Sequence, residues 1–208
     1  MLKNISYRVL QVAHAIFLGI AIYKLWKLDW LSLFVLAQAA VVVIIPYVLE
    51  KRFNIFTPYL LRIGIVVFMF GTLILGEIAD FYNTFQWWDL MLHGAASVGL
   101  TVIGFMLLVI FFRERDLSIS PAFTSFLALS FTLSLAVLWE IYEFFIDMFF
   151  HPTATMQPSN GDTMWDLIIS VVGAGVVVVG GYRYVRWKEK GIVAAVIEEG
   201  KVNNEDVV

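Results

Sequence analysis

Trp139-Glu140-Ile141-Tyr142-Glu143-Phe144-Phe145-Ile146-Asp147 sets three carboxylates inside an apolar run long enough to cross a bilayer. Spacings of three, four and seven residues put Glu140, Glu143 and Asp147 on one stripe of a helix. Ionisable groups at membrane depth are costly and face a bundle interior or a wet cavity, so they mark functional sites. The motif has an echo upstream. Glu77-Ile78-Ala79-Asp80-Phe81 matches Glu140-Ile141-Tyr142-Glu143-Phe144, and each is followed by a Trp-Asp-Leu that opens the next apolar run, at Trp88-Asp89-Leu90 and Trp165-Asp166-Leu167.

The surrounding composition belongs to a membrane protein. Of 208 residues 61% are hydrophobic and 15% charged, against roughly 25% charged in an ordinary soluble domain. Cysteine is absent, which removes disulfides and thiolate metal sites. A formal charge of −3 gives no reason to expect a nucleic-acid partner.

Six apolar runs follow in order, from about Val9 to Trp26, Trp30 to Leu49, Tyr59 to Ile78, Trp88 to Phe112, Pro121 to Phe150 and Met164 to Tyr184. Each has the roughly 20 residues that a crossing helix needs. The first follows Lys3 and Arg8 like a signal peptide, but lacks a small-residue cleavage site and reads as a retained helix. The expected fold is therefore all-α and polytopic, six transmembrane helices forming one domain over residues 1–187. Residues 188–208 are expected as a mobile cytoplasmic tail.

Basic residues set the orientation. Lys51/Arg52, Arg113/Arg115 and Arg183/Arg186/Lys188/Lys190 share one side, while no Lys or Arg occurs from Ile63 to Phe112 or from Leu117 to Tyr182. Lys24 and Lys27 dissent. Both termini are expected in the cytoplasm. Glu77, Asp80, Asp89, Glu140, Glu143, Asp147, Asp162 and Asp166, with His93, then fall in one outer layer of the membrane. Helices three-four and five-six read as two copies of one hairpin, a parallel repeat with the site between its halves; chance similarity between apolar segments is the alternative.

Asp89 and His93 lie four apart, as do Asp162 and Asp166, so each pair points one way on its helix. One imidazole with several carboxylates is a ligand set for Zn, Mn or Mg. No basic residue lies nearby in sequence, so repulsion among the carboxylates must be relieved by metal, by a cationic ligand or by protonation. The plainer alternative is that Asp80, Asp89 and Asp162 lie in water beyond the headgroups. His14, in the first helix, reads as a packing hydrogen bond rather than a ligand. His151 reads as an interfacial or loop residue. The tryptophans Trp87, Trp88, Trp139 and Trp165 fit an interfacial belt, and Gly94, Gly99, Gly104, Gly173 and Gly175 fit close helix packing. His-Glu-x-x-His, Gly-x-Ser-x-Gly and phosphate-binding glycine loops are all missing.

At these residues the chain resembles the YjdF-type bacterial inner-membrane proteins. Glu77, Asp89 with His93, Glu140 with Glu143, and Asp162 with Asp166 stand in that order over the third to sixth helices. The resemblance implies a multi-pass protein of the bacterial inner (plasma) membrane and carries no activity. A weaker similarity is to VanZ-like proteins of the cell envelope. Asp89-His93 and Glu140-Glu143 fit their pattern, and Asp166-Ser170-Gly173 departs by Ser for Asn. That similarity implies an envelope-facing role.

The expected function is an outward-facing divalent-metal site acting on a lipid-linked or envelope substrate, in contact with membrane lipid. Asp89, His93, Glu140 and Asp166 would be metal ligands and Glu143 a general base, with Glu77, Asp80, Asp147 and Asp162 completing the acidic patch. Two other classes stay open: a cation- or proton-coupled transporter using the same carboxylates, and a non-catalytic membrane scaffold. The sequence leaves the oligomeric state, the substrate and the choice among the metals open.

Overall fold

The computed structural model describes residues 2–27, 30–53, 56–114, 119–150, 156–187 and 191–205. His151 lies outside these residues, and so does the side chain of His14. Every element among the described residues is helical: α1 (Leu2–Trp26), α2 (Trp30–Phe53), α3 (Tyr59–Phe70), α4 (Phe81–Thr84), α5 (Trp88–Glu114), α6 (Pro121–Phe150), α7 (Asn160–Trp187) and α8 (Ile192–Glu205). All six apolar runs are helices. Among the described residues, four stretches are long and apolar enough to cross a membrane: Tyr59–Ile78, Trp88–Phe112, Pro121–Phe149 and Asn160–Trp187.

Local chemistry sets the helix ends. Ser120 caps α6, its Oγ accepting the Phe123 amide at 3.2 Å, with Pro121 at the first helical position where a missing N–H costs nothing. Ser159 caps α7 in the same way, accepting the Asp162 amide at 3.2 Å. The end of α3 is less regular. From Gly71 to Ile78 the helix widens to π pitch and closes with the Ala79 amide on the Ile74 carbonyl at 2.9 Å. Asp80 then takes a positive φ of 60°, a conformation that Asp tolerates better than most residues. Its side chain accepts from Asn83 Nδ2 at 2.6 Å and its carbonyl from the Thr84 amide at 3.0 Å, which starts α4. A Cβ at Gly76 would collide with the Tyr82 ring, so glycine is what lets α4 fold back on the π turn.

The chain forms two compact units, Met1–Thr84 with Glu199–Val208, and Phe85–Glu198. In the first, Phe17 from α1, Leu36, Ala39 and Val43 from α2 and Leu73 from the π turn form an apolar core. Arg62 is buried at the start of α3, its Nη1 on Glu50 Oε2 at 2.7 Å and its Nε on the Thr57 carbonyl at 2.7 Å. The rings of Phe56 and Tyr59 stand 5.0 and 5.2 Å from its guanidinium carbon, covering the charge with aromatic faces. The boundary between units falls between Thr84 and Phe85, so it cuts the first of the two hairpins in the expected repeat.

The second unit holds α5, α6 and α7 packed against one another. Each presents its small and polar residues inward at helical spacing. On α5 the stripe is His93, Ser97, Thr101 and Phe105; on α6 it is Ala128, Thr132, Ala136, Glu140 and Glu143; on α7 it is Asp166, Ser170, Ala174 and Val177. The outward faces carry Val98, Leu107, Phe126, Leu138, Val172, Val176 and Val179. An apolar exterior around a small, polar interior suits a lipid solvent, where close backbone approach and interhelical hydrogen bonds replace the hydrophobic effect. Gly173 shows the approach directly: a Cβ there would stand 2.7 Å from the Gly94 carbonyl oxygen across the α5–α7 crossing. Gly104 packs against α6, with Ala128 Cα 3.5 Å from its would-be Cβ. Gly99 and Gly175, read from the sequence as packing positions, have nothing within 4 Å and face open space.

Residues after 188, expected as a mobile tail, include a further helix. Ile192-Val193-Ala194-Ala195-Val196-Ile197 is apolar enough to pack, and Ala194, Val196 and Ile197 are buried. Tyr184 donates its hydroxyl to Glu198, and the Tyr59 amide donates to Glu199 Oε1 at 3.2 Å.

Candidate functional site

Close packing of Gly94, near the start of α5, against Gly173, in the middle of α7, sets the two helices side by side, and the last third of α6 completes the cluster. Asp89 and His93 come from α5, Glu140 and Glu143 from α6, and Asp166 from α7. His93, Glu140, Glu143 and Asp166 are each at most 9% exposed, although His and carboxylates are rarely buried without partners. Asp89 sits at the rim, with its side chain 29% exposed.

His93 is the centre. Its Nε2 lies 3.8 Å from Asp89 Oδ1, and its Nδ1 lies 3.6 Å from Glu140 Oε1. Two sets of three possible metal-ligating groups share it, Asp89–His93–Asp166 and His93–Glu140–Glu143, with the ligating atoms of each set within 4.8 Å of one another. The four-ligand set expected from the sequence, Asp89, His93, Glu140 and Asp166, is thus divided by the imidazole. Glu143, expected as a base, stands beside Glu140 in the second set.

Glu140 is held from behind. Gln157 Nε2 donates to the Glu140 carbonyl and to its Oε2, both at 2.9 Å. The other oxygen, Oε1, is buried, lacks a hydrogen-bond partner and faces His93. Trp139 donates its indole N–H to Glu143 Oε1 at 2.9 Å, so this tryptophan does more than populate an interfacial belt. Asp166 is 2% exposed and has no hydrogen-bond donor among the described residues.

The remaining acidic residues have other surroundings. Asp147 accepts the backbone amides of Met156 and Gln157 at 2.7 and 2.8 Å, so it anchors the segment that delivers Gln157 rather than facing His93. Asp162 is partly exposed in the first turn of α7, where a carboxylate favours the helix dipole, and it stands near enough to the cluster for its charge to act on Asp89, His93 and Asp166. Glu77 and Asp80 are exposed and belong to the other compact unit. Gln157 is the residue the sequence conceals, lying in a Pro/Ser/Asn/Gly-rich stretch with no periodicity to give it a direction. Its one signal is chemical: it is a long donor side chain in a region free of Lys and Arg.

Inward of the cluster the polar character continues for about two turns. Ser97 donates to the His93 carbonyl at 2.8 Å, Thr101 stands 2.6 Å from the Ser97 carbonyl, and the Thr101 and Thr132 hydroxyls pair at 2.8 Å. Below them comes an apolar layer of Phe105, Ala128, Ala174 and Val177, each at most 3% exposed, and beyond it α6 buries Thr124 and Ser125.

The sequence matches no solved structure. It is similar to an uncharacterised protein of Thermotoga maritima, with 30% identity over 128 residues, covering 62% of this chain and 65% of the relative. Residues 5–187, which include the whole cluster, match a family described as predicted membrane protein (DUF2238), and the chain belongs to that family.

Proposed function

We propose that the His93 cluster is a divalent-cation site facing the outer side of a bacterial inner membrane, acting on a lipid-linked or envelope substrate. The observation that carries this reading is Glu140 Oε1, a buried acceptor without a hydrogen bond. An unmet acceptor in a dry interior costs about 1–3 kcal/mol, and more when charged. The other oxygen of the same carboxylate receives the Gln157 amide at 2.9 Å, and the same amide holds the Glu140 backbone carbonyl, so the unmet oxygen reflects its orientation toward His93 rather than poor packing. A cation between Glu140, Glu143 and His93 removes that cost. It would polarise an ester or phosphate oxygen or activate water, and the Trp139 indole would hold Glu143 beside it through Oε1.

In this reading all six long helices cross the membrane with both termini inside, following the basic residues. Exposed Trp87, Trp139 and Trp165 suit the interface where a lipid-linked substrate would present its headgroup. An envelope-facing role is also what the resemblance of Asp89-His93 and Glu140-Glu143 to the VanZ-like pattern would imply. A coupled transporter would need an unbroken polar path onward from Thr101 and Thr132, and Phe105, Ala128, Ala174 and Val177 interrupt it before the buried Thr124 and Ser125 on α6.

Elemental mass spectrometry on detergent-purified protein tests the site. Wild type should retain Zn or Mn that Glu140→Gln and His93→Ala lose; metal-free wild type purified without chelators refutes it. The orientation has its own test. The chain has no cysteine, so single Ser159→Cys and Ser120→Cys variants can be labelled in intact cells with an impermeant maleimide. Labelling at 159 and protection at 120 is expected; the reverse pattern overturns the outward assignment.

A further inference from the structure

From the placement of His93 between two carboxylate sets, we infer that the site holds two divalent cations, one at each ring nitrogen. The inference rests on the metal reading above and extends it to a number and an arrangement. The first position is bounded by His93 Nδ1, Glu140 and Glu143, the second by His93 Nε2, Asp89 and Asp166.

Geometry supports both positions. An N–H···O hydrogen bond spans about 2.7–3.2 Å. The two contacts at His93 are 3.6 and 3.8 Å, too long for that bond. Two ligand atoms about 2.1 Å from a tetrahedral centre stand roughly 3.4 Å apart, so the observed separations are close to those across a shared metal. Each set also holds a buried carboxylate lacking a donor, Glu140 Oε1 in one and Asp166 in the other.

Charge supports the pair as well. The two sets contain four carboxylates, and no Lys or Arg lies in the sequence from Leu117 to Tyr182 or from Ile63 to Phe112. One divalent cation leaves two negative charges uncompensated in a poorly hydrated interior, whereas two cations balance the carboxylates. Loading both nitrogens requires the imidazole to release its remaining N–H proton to solvent as the second cation binds, and the imidazolate so formed leaves the four carboxylates, the ring and two cations with one net negative charge, against two with a single cation. Glu140 and Asp166 would then be ligands of different ions, in keeping with their places in different ligand sets.

The test is stoichiometry on the full chain in detergent, titrated with Mn2+ to saturation. Two ions per chain are expected for wild type, one for Asp166→Asn and one for Glu143→Gln. Electron paramagnetic resonance gives a readout independent of protein yield: the doubly loaded protein should show a spin-coupled signal, and each variant the six-line spectrum of isolated Mn2+. One ion per chain at saturation, with an uncoupled spectrum in wild type, overturns the pair while leaving a single-metal site standing. No bound ion at all overturns the metal reading itself.

Discussion

Replacing Gln157 with Ala removes two hydrogen bonds of 2.9 Å from Glu140 and touches no other member of the cluster. The bond to Oε2 is charge-assisted when Glu140 is ionised, and such bonds contribute about 1.5–3 kcal/mol. The bond to the carbonyl holds the amide in place. Without them the Glu140 side chain regains rotamers that turn Oε1 away from His93. Taking the charge-assisted bond as the ceiling, and 1.4 kcal/mol as tenfold in Kd, metal affinity should fall about 10- to 100-fold. That range matches the usual effect of removing a group that orients a metal ligand. Competition with a chromophoric chelator measures Kd directly, and Gln157→Met separates the lost bonds from lost volume because it should fall as far as Ala. A Kd for both variants within twofold of wild type would refute the idea that Gln157 orients Glu140.

Other expectations follow from the same geometry. Gly173→Val should part α5 from α7, because its Cβ would meet the Gly94 carbonyl at 2.7 Å; overpacking of this kind costs about 1–3 kcal/mol, visible as a lower Tm in detergent together with weaker metal binding. Gly175→Ala has open space around it and should leave Tm unchanged or raise it, since Ala is the better helix former. A double-mutant cycle with Thr101→Val and Thr132→Val should give a coupling energy of about 0.6 kcal/mol, the average for hydrogen bonds between membrane helices, and a coupling near zero would remove the 2.8 Å pair from the account. Metal affinity should weaken as pH falls, because protons compete for the carboxylate and imidazole ligands. A titration flat between pH 8 and about pH 5 would exclude those ligands.

Much of the cluster was legible because membrane helices make a simple code. Once the apolar runs are helices, spacings of three and four fix which residues share a stripe, so Asp89 with His93 and Glu140 with Glu143 could be read directly. Stripe membership does not fix contact. Asp147 shares the stripe with Glu140, yet lies near the end of α6 and holds the Met156 and Gln157 amides. Glu77 and Asp80 repeat the motif of Glu140 and Glu143, but Glu77 lies within a π turn that no local spacing announces, Asp80 just after it, and both are exposed rather than buried. The division at Thr84 is likewise invisible in a chain whose apolar composition hardly changes across it. α8 was obscured by the mixture of charges after Ile197. Gly173 and Gly99 look alike in sequence, and only the helix crossing tells a backbone contact from a face turned to open space.

The central claim is that His93 and its carboxylates bind a divalent metal directly. Zinc K-edge X-ray absorption on the zinc-loaded protein tests this at the level of ligands. A first shell of nitrogen and oxygen at about 2.0–2.2 Å, with the outer-shell scattering of an imidazole that disappears in His93→Ala, is the predicted result. A spectrum without imidazole scattering, or one unchanged in His93→Ala, would contradict it.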